Sequence, residues 1–273
     1  MARTTSEIPA TKEAVAPTGT QSVERAFALL TAFTEEHPER RISELGAHTG
    51  LGQSTVSRLV ATLETLGFLA QDDRSGLYHL GHSVIGLAGV ALNQSPVFRQ
   101  ARQIAQNLAH ELGLGANVAE LAGGQLFYLC HFEGPRAPRG FTMMGRGGPL
   151  HATALGKALI CEWTREDVMA CMGQAFPTFT RNTISRVDDL LPVLVETRAR
   201  GYAIEAEELA LGRACLAAPI RDRGGRAVAA LSVSGPLSAI DLAEQQDRLA
   251  LTVIEHADQV STALGYHTAA GLY

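Results

Sequence analysis

Apolar residues recur at helical spacing early in the chain. Val23, Phe27, Leu30 and Phe33 stand four, three and three residues apart, which predicts one apolar face of a first helix. That helix begins after Gln21-Ser22 and ends at His37-Pro38. A short second helix is expected from Ser43 to His48, with Ser43 as its N-cap. Thr49-Gly50-Leu51-Gly52 then forms a tight break. A third helix runs from Gln53 to Leu66, with Val56, Leu59, Val60 and Leu63 as its buried face and Gly67 as its stop. Two short strand-like runs follow, Phe68 to Gln71 and Leu77 to Leu80. The turn-forming residues Asp72, Asp73, Arg74, Ser75 and Gly76 lie between them, so the pair reads as a β-hairpin. Three helices and then a hairpin is the layout of a winged helix-turn-helix.

Residues 81–94 read as a helical connector anchored by Val84, Leu87 and Leu92. Pro96 opens an amphipathic helix that reaches Leu112. Beyond it the pattern changes. Asn117 to Leu121, Leu126 to Phe132, Ala214 to Ile220 and Val228 to Val233 read as strands, while stretches 153–162, 165–172, 188–200 and 240–264 read as helices. Strands and helices mix without regular alternation, so the fold class is α+β and not doubly wound. The expected organisation is a disordered tail (1–20), a winged helix-turn-helix (21–81), a linker helix (82–95) and a second domain (96–266).

Composition narrows the classes. Hydrophobic residues make up 46% and charged residues 19% of the 273, enough apolar material for a packed core. The four cysteines, Cys130, Cys161, Cys171 and Cys215, include no CxxC pair, which argues against a zinc ribbon or a disulfide framework. The first 20 residues hold no apolar run and do not read as a signal peptide, and Val84 to Leu92 is too short to span a bilayer. A cytoplasmic location with no membrane partner is therefore expected.

The first unit carries the features of DNA recognition. Two helices that touch closely need a small residue at the contact, and the turn between them needs a residue that tolerates positive φ. Gly46 and Gly50 supply these, and Val56 is the buried residue after the turn. The opposite face of the third helix carries Gln53, Ser54, Thr55, Ser57 and Arg58 near its N-terminal end, side chains suited to base edges and phosphates. Arg41 and the hairpin-tip Arg74 complete the candidate contacts to double-stranded DNA, Arg74 reading equally as a plain turn residue. Charge runs the other way: residues 21–80 hold five arginines, no lysine and eight acids, a net of minus three. Modest non-specific affinity and a heavy dependence on dimerisation follow.

Several segments together resemble the IclR family of bacterial transcription regulators. They are SVERAFALL (22–30), ISELGAHTGLGQSTVSRLVATLETLGFL (42–69), YHLG (78–81), LHATALGKALI (150–160), TRNTI (180–184), RGYAIEAEELALGRACLAAPI (200–220) and AALSVSGP (229–236). The resemblance covers residues 21–266 in one order. It implies a GAF/PAS-like C-terminal domain that binds small metabolites, often carboxylates such as glyoxylate, pyruvate or aromatic acids. It also implies a homo-oligomer, with dimers formed through the DNA-binding domain and tetramers through the effector domain, and repression as the commoner mode.

Carried onto this chain, the resemblance places the effector against the Ala154-Leu155-Gly156 backbone, Glu205, Cys215, Ser232 and Ser234. A helix starting near Thr153 would offer free N–H groups to an anion, and Ser232 and Ser234 alternate along a strand onto one face. Glu205 stands where related members can carry the shorter Asp, which alters the cavity, and Met143 and Met144 offer an apolar wall. Cys215 reads equally as a core cysteine. Glu205 reads also as a surface charge, since Glu207 and Glu208 beside it suggest a solvated loop. Asn182 and Thr183 read as turn or capping residues.

Enzyme motifs fail on inspection. Gly156-Lys157 has His151 where a phosphate loop needs glycine, and Ala158 where it needs Ser or Thr. Ser232 replaces the first glycine of a nucleophile elbow around Ser234. Cys130 and His131 are adjacent, so on a strand they face opposite ways. No histidine pair has zincin spacing. No catalytic residue, metal or cofactor is expected. The alternatives are a DNA-binding protein whose second domain only oligomerises and, more remotely, a small-molecule enzyme with a helical cap.

Overall fold

The computed structural model describes residues 20–136 and 143–267. The expected tail over residues 1–20 lies, apart from Thr20, outside them. The described chain divides into two compact units, one ending at Gln94 and one beginning at Ser95.

In the first unit α1 (Gln21–Thr31), α2 (Ile42–Thr49) and α3 (Gln53–Thr65) precede β1 (Leu69–Gln71), β2 (Tyr78–Leu80) and α4 (His82–Gln94). β1 and β2 pair antiparallel with Leu69 opposite Leu80. Tyr78 also exchanges backbone hydrogen bonds with Arg40, which extends the wing at its base. One core cluster holds the unit together: Leu29, Ala32, Phe33, Leu45, Val56, Val60, Leu63, Leu69 and Tyr78. Gly46 sits at the close approach of α2 to the turn and α3: a Cβ on it would lie a tight 3.3 Å from the Leu51 carbonyl oxygen and in ordinary contact, 3.8 Å, with Val56. Gly50 ends α2 in the left-handed conformation at φ 69°, a geometry that costs a side-chain-bearing residue about 1 kcal/mol.

Three details differ from the sequence reading. Val23 and Phe27 do not face the core; Phe27 is 62% exposed, and α1 instead packs through Ala26, Leu29 and Leu30. The N-cap of α2 is Arg41, not Ser43, because the Glu44 carboxylate accepts a 2.7 Å hydrogen bond from the Arg41 N–H and so closes the first turn earlier. Leu87 is no anchor. It is 61% exposed, and so are Ile85 and Val90 to a similar degree, so α4 is apolar without a buried side chain.

The second unit is a six-stranded antiparallel sheet with helices on both faces. Its elements are α5 (Pro96–Leu112), β3 (Gly115–Ala122), β4 (Gln125–Phe132), β5 (Gly147–Gly148), α6 (Ala154–Leu159), α7 (Arg165–Met172), α8 (Val187–Arg200), β6 (Ala203–Ala206), β7 (Arg213–Arg221), β8 (Ala227–Pro236), α9 (Leu237–Ile240) and α10 (Leu242–Ala263). The strand order is β5-β4-β3-β8-β7-β6. Strand alternation sorts the side chains. Ala116, Val118, Ala214, Leu216, Ala218, Ile220, Ala229, Leu231 and Val233 face α5 and α10 in one wholly apolar cluster. Ala119, Tyr128, Ala203, Ala217 and Ala230 face α6, α7 and α8 in another. The second face also carries the buried polar side chains Asn117, Ser232, Ser234 and Glu205. The α5 start is well specified: the Ser95 hydroxyl accepts from the Phe98 N–H and Pro96 follows in the first turn.

Candidate functional site

The helix-turn-helix presents its polar residues as one surface. Gln53, Ser54, Ser57 and Arg58 are exposed on α3, Thr55 is half-buried, and Val56, Val60 and Leu63 point into the core. The N-cap of α3 is Gly52, which has no side chain to occupy the first N–H groups of the helix. Those donors and the positive end of a 13-residue helix suit a phosphate. Arg41 and Arg74 are exposed as well. Arg74 is held in a turn where the Asp72 carboxylate accepts from the N–H groups of Arg74 and Ser75 at 3.0 and 2.7 Å. Those bonds hold the Asp72 carboxyl below its ordinary range.

In the second unit the register brings a polar row together. Asn117 on β3 lies opposite Ser232 on β8 and His131 on β4; Ser234 lies opposite Cys215 on β7, and Cys215 opposite Glu205 on β6. Asn117 Nδ2 reaches Ser234 Oγ at 3.2 Å and Ser232 Oγ at 3.4 Å, while its Oδ1 lies 2.7 Å from His131 Nδ1. Asn117, Ser232, Ser234 and Glu205 are all buried. Burial pushes the Cys215 thiol up to about 12, helped by the neighbouring Glu205 charge, so it stands in the row as a neutral, weakly polar group.

α6 packs on the same face, against β6, β7 and β8. It begins at Thr153, whose hydroxyl donates to the Pro149 carbonyl at 2.8 Å and accepts from the Gly156 N–H at 3.0 Å. Gly156 N–H is thereby engaged, and the backbone donors of Ala154 and Leu155 precede it in the first turn. A glycine is required at 156: a Cβ there would lie 2.2 Å from the Leu150 carbonyl oxygen.

Glu205 is not on a solvated loop. Its Oε1 accepts from the N–H groups of Glu208 and Leu209 at 2.7 and 3.2 Å and ties the chain back on itself. Glu208 is buried in turn by a 2.5 Å ion pair with Lys157, a side chain only 1% exposed. Thr180 and Thr183 fasten the 180–183 loop there, their hydroxyls donating to the Glu207 and Glu208 carbonyls at 2.6 Å each. Burial raises the carboxyl pKa of both Glu205 and Glu208, against the lowering effect of those N–H bonds on Glu205 and of Lys157 on Glu208. Met143 packs against the cluster on this face, whereas Met144 is exposed.

Asn117 is not among the sequence-predicted site residues, His131 and Lys157 enter there only in rejected enzyme motifs, and Glu208 only as part of a solvated loop. Asn117 and His131 each sit inside an otherwise apolar strand pattern, which is the one signal available for them. Nothing in local spacing links Lys157 to a residue 51 positions away. Among the described residues no group of acids, histidines and cysteines has the arrangement of a metal site. No described helix is long and apolar enough to cross a membrane.

Comparison with known proteins places both units. Residues 22–73 match the family model for the IclR helix-turn-helix domain, and residues 89–262 match that for the bacterial transcriptional regulator IclR C-terminal domain. The chain is 32% identical over 255 residues to the HTH-type transcriptional regulator XynR of Escherichia coli K12, covering 90% of this chain and 98% of that one. It is 31% identical over 260 residues to the HTH-type transcriptional repressor AllR of the same strain, covering 94% of this chain and 95% of that one. Its fold is similar to that of an IclR homologue from Microbacterium hydrocarbonoxydans solved with 4-hydroxybenzoate, at a TM-score of 0.76 and 22% identity, over 89% of this chain and 98% of that one.

Proposed function

Since the chain belongs to the IclR family of DNA-binding transcriptional regulators with a C-terminal effector domain, we propose that it is a repressor whose grip on its operator is altered by a small or aromatic carboxylate. The observation that carries this reading is the buried polar row on one face of the sheet. Ser234 lies in register with Cys215, two residues along β8 from Ser232, on the strands against which α6 packs. A buried polar cluster is costly unless its hydrogen bonds are satisfied. The donors of Ala154 and Leu155 with the serine hydroxyls make a complement to a carboxylate, and Glu205 closes the site opposite them. A relative named as a repressor and a fold neighbour holding 4-hydroxybenzoate agree with this chemistry.

On the DNA side, Gln53, Ser54, Thr55, Ser57 and Arg58 read base edges and phosphates while Arg41 and Arg74 anchor the flanks. Two copies pair to present two recognition helices, as half-sites require. The effector acts by population shift: it prefers one arrangement of α4 and so changes the spacing of the paired helices.

Two experiments test the reading. A thermal-shift panel of glyoxylate, pyruvate and 4-hydroxybenzoate should give a dose-dependent rise for one of them. Selection of bound duplexes from a random-sequence pool should yield a consensus site, and a Gln53→Ala, Arg58→Ala double variant should lose preference for it while retaining its fold. Unchanged sequence preference in that variant removes α3 as the reading element.

A further inference from the structure

Asn117 stands between two sets of partners that ask opposite things of it. Its carbonyl oxygen lies 2.7 Å from His131 Nδ1, and its amide nitrogen lies 3.2 and 3.4 Å from the oxygens of Ser234 and Ser232. An amide has an acceptor end and a donor end, and only one way round satisfies a given set of neighbours. With the ring nitrogen donating to Oδ1, both N–H bonds of Nδ2 are directed at the serines. Each serine oxygen then accepts from Asn117, and its own hydroxyl hydrogen is left to donate elsewhere. Across from Ser234 stands Cys215, whose neutral thiol lies within hydrogen-bonding reach of both serines but is a weak acceptor that a carboxylate oxygen would displace.

We propose that Asn117, oriented by His131, is a positioning residue that sets the two serine hydroxyls as donors and thereby selects effectors with a carboxylate or carbonyl oxygen at that point over those with an amide N–H₂. The inference deepens the proposed function and rests on Ser232 and Ser234 being effector contacts. The chain of bonds runs across three neighbouring strands, β4, β3 and β8, in a fixed register. Asn117, Ser232 and Ser234 are each more than nine-tenths buried. Water therefore competes little for these bonds, and their direction is held by the fold. His131 Nε2, on the far side of the ring, lies 3.6 Å from Glu133 Oε1.

The consequence is a polarity that one isosteric change inverts. In Asn117→Asp a carboxylate replaces the amide, the serines donate to it, and their lone pairs face the effector instead. The test uses the full chain with matched probes: pyruvate against pyruvamide, and 4-hydroxybenzoate against 4-hydroxybenzamide. Melting temperature is followed as each probe is titrated. The wild type is expected to be stabilised by the acid of a pair more than by its amide. Asn117→Asp should reverse that order, with the acid losing about ten-fold or more in apparent affinity, the scale of a lost charge-assisted hydrogen bond. His131→Leu, which frees the amide to turn and serves if the first variant does not fold, should narrow the preference without reversing it.

An acid preference that survives in both variants overturns the proposal. So does a wild type that prefers the amides. A Ser232→Ala, Ser234→Ala double variant separates the two levels. If it leaves acid binding intact, the serine site itself falls. If it abolishes acid binding while Asn117→Asp keeps the acid preference, only the relay falls. Absence of any shift by all four probes with folded wild type removes both.

Discussion

At the scale of single residues, the site's behaviour turns on Glu205. Burial raises its carboxyl pKa, although two backbone N–H groups favour the charged form. The folded state thus holds its proton to higher pH than an unfolded chain would, and this group's contribution to stability is lost as pH rises through and above the ordinary carboxylate range. An anionic effector placed beside it adds a second negative charge and raises the carboxyl further, so binding takes up a proton. Affinity for 4-hydroxybenzoate should therefore fall as pH rises above the ordinary Glu range, at pH values where the ligand's carboxylate is ionised and its phenol is neutral. Glu205→Gln keeps an acceptor for the Glu208 N–H but has nothing to titrate, so its affinity should be flat across the same range. Calorimetric titration in two buffers of different ionisation enthalpy reads the proton uptake directly. Equal pH slopes for the wild type and the variant would place the ligand away from Glu205.

At the scale of elements, the first turn of α6 positions the backbone donors, and Gly156 sets how closely it sits. A Cβ there would collide with the Leu150 carbonyl and Cα, all backbone atoms that cannot swing aside. Gly156→Ala should cost about 1–3 kcal/mol, as overpacking does, and should abolish the effector-induced rise in melting temperature. An unchanged rise in that variant would free α6 from any part in binding. The same scale shows what was legible in the sequence. α5, Pro96–Leu112, is readable to its ends because Pro96 and Gly113 mark them and its apolar stripe is strict. α3 is readable because Gly52 and Gly67 bracket a buried face of helical period. β5 is two glycines without any side-chain pattern, and β6 is four residues interrupted by Glu205, so neither had a signal to read. The apolar stripe of α1 misled for a physical reason: Val23 and Phe27 are apolar but lie off the face that meets α3. The candidate site was legible through the family resemblance in Ser232, Ser234, Cys215 and Glu205. Asn117 and His131 emerged only from strand register, which local spacing does not encode.

At the scale of the whole molecule, exposed apolar surface and charge point to assembly. Val23 and Phe27 on α1, with Ile85, Leu87 and Val90 on α4, leave large apolar side chains in water in a unit that holds a net acidic helix-turn-helix. Burying them against a second copy would regain about 25 cal/mol for each Å² covered. Sedimentation of the wild type should show a dimer or tetramer, and a Phe27→Asp, Leu87→Asp variant should shift to smaller species and bind DNA more weakly. A variant that keeps the wild-type mass would move the interface elsewhere. Coupling between effector and operator is a free energy shared by two sites. The most direct measurement is the affinity for the selected duplex, by fluorescence anisotropy, with and without a saturating amount of whichever panel carboxylate raises the melting temperature most. The Kd should change, by about 5- to 150-fold for a typical coupling. An identical Kd in the presence of a bound, stabilising carboxylate would contradict such coupling, and would leave the second unit as a part that binds and assembles without regulating.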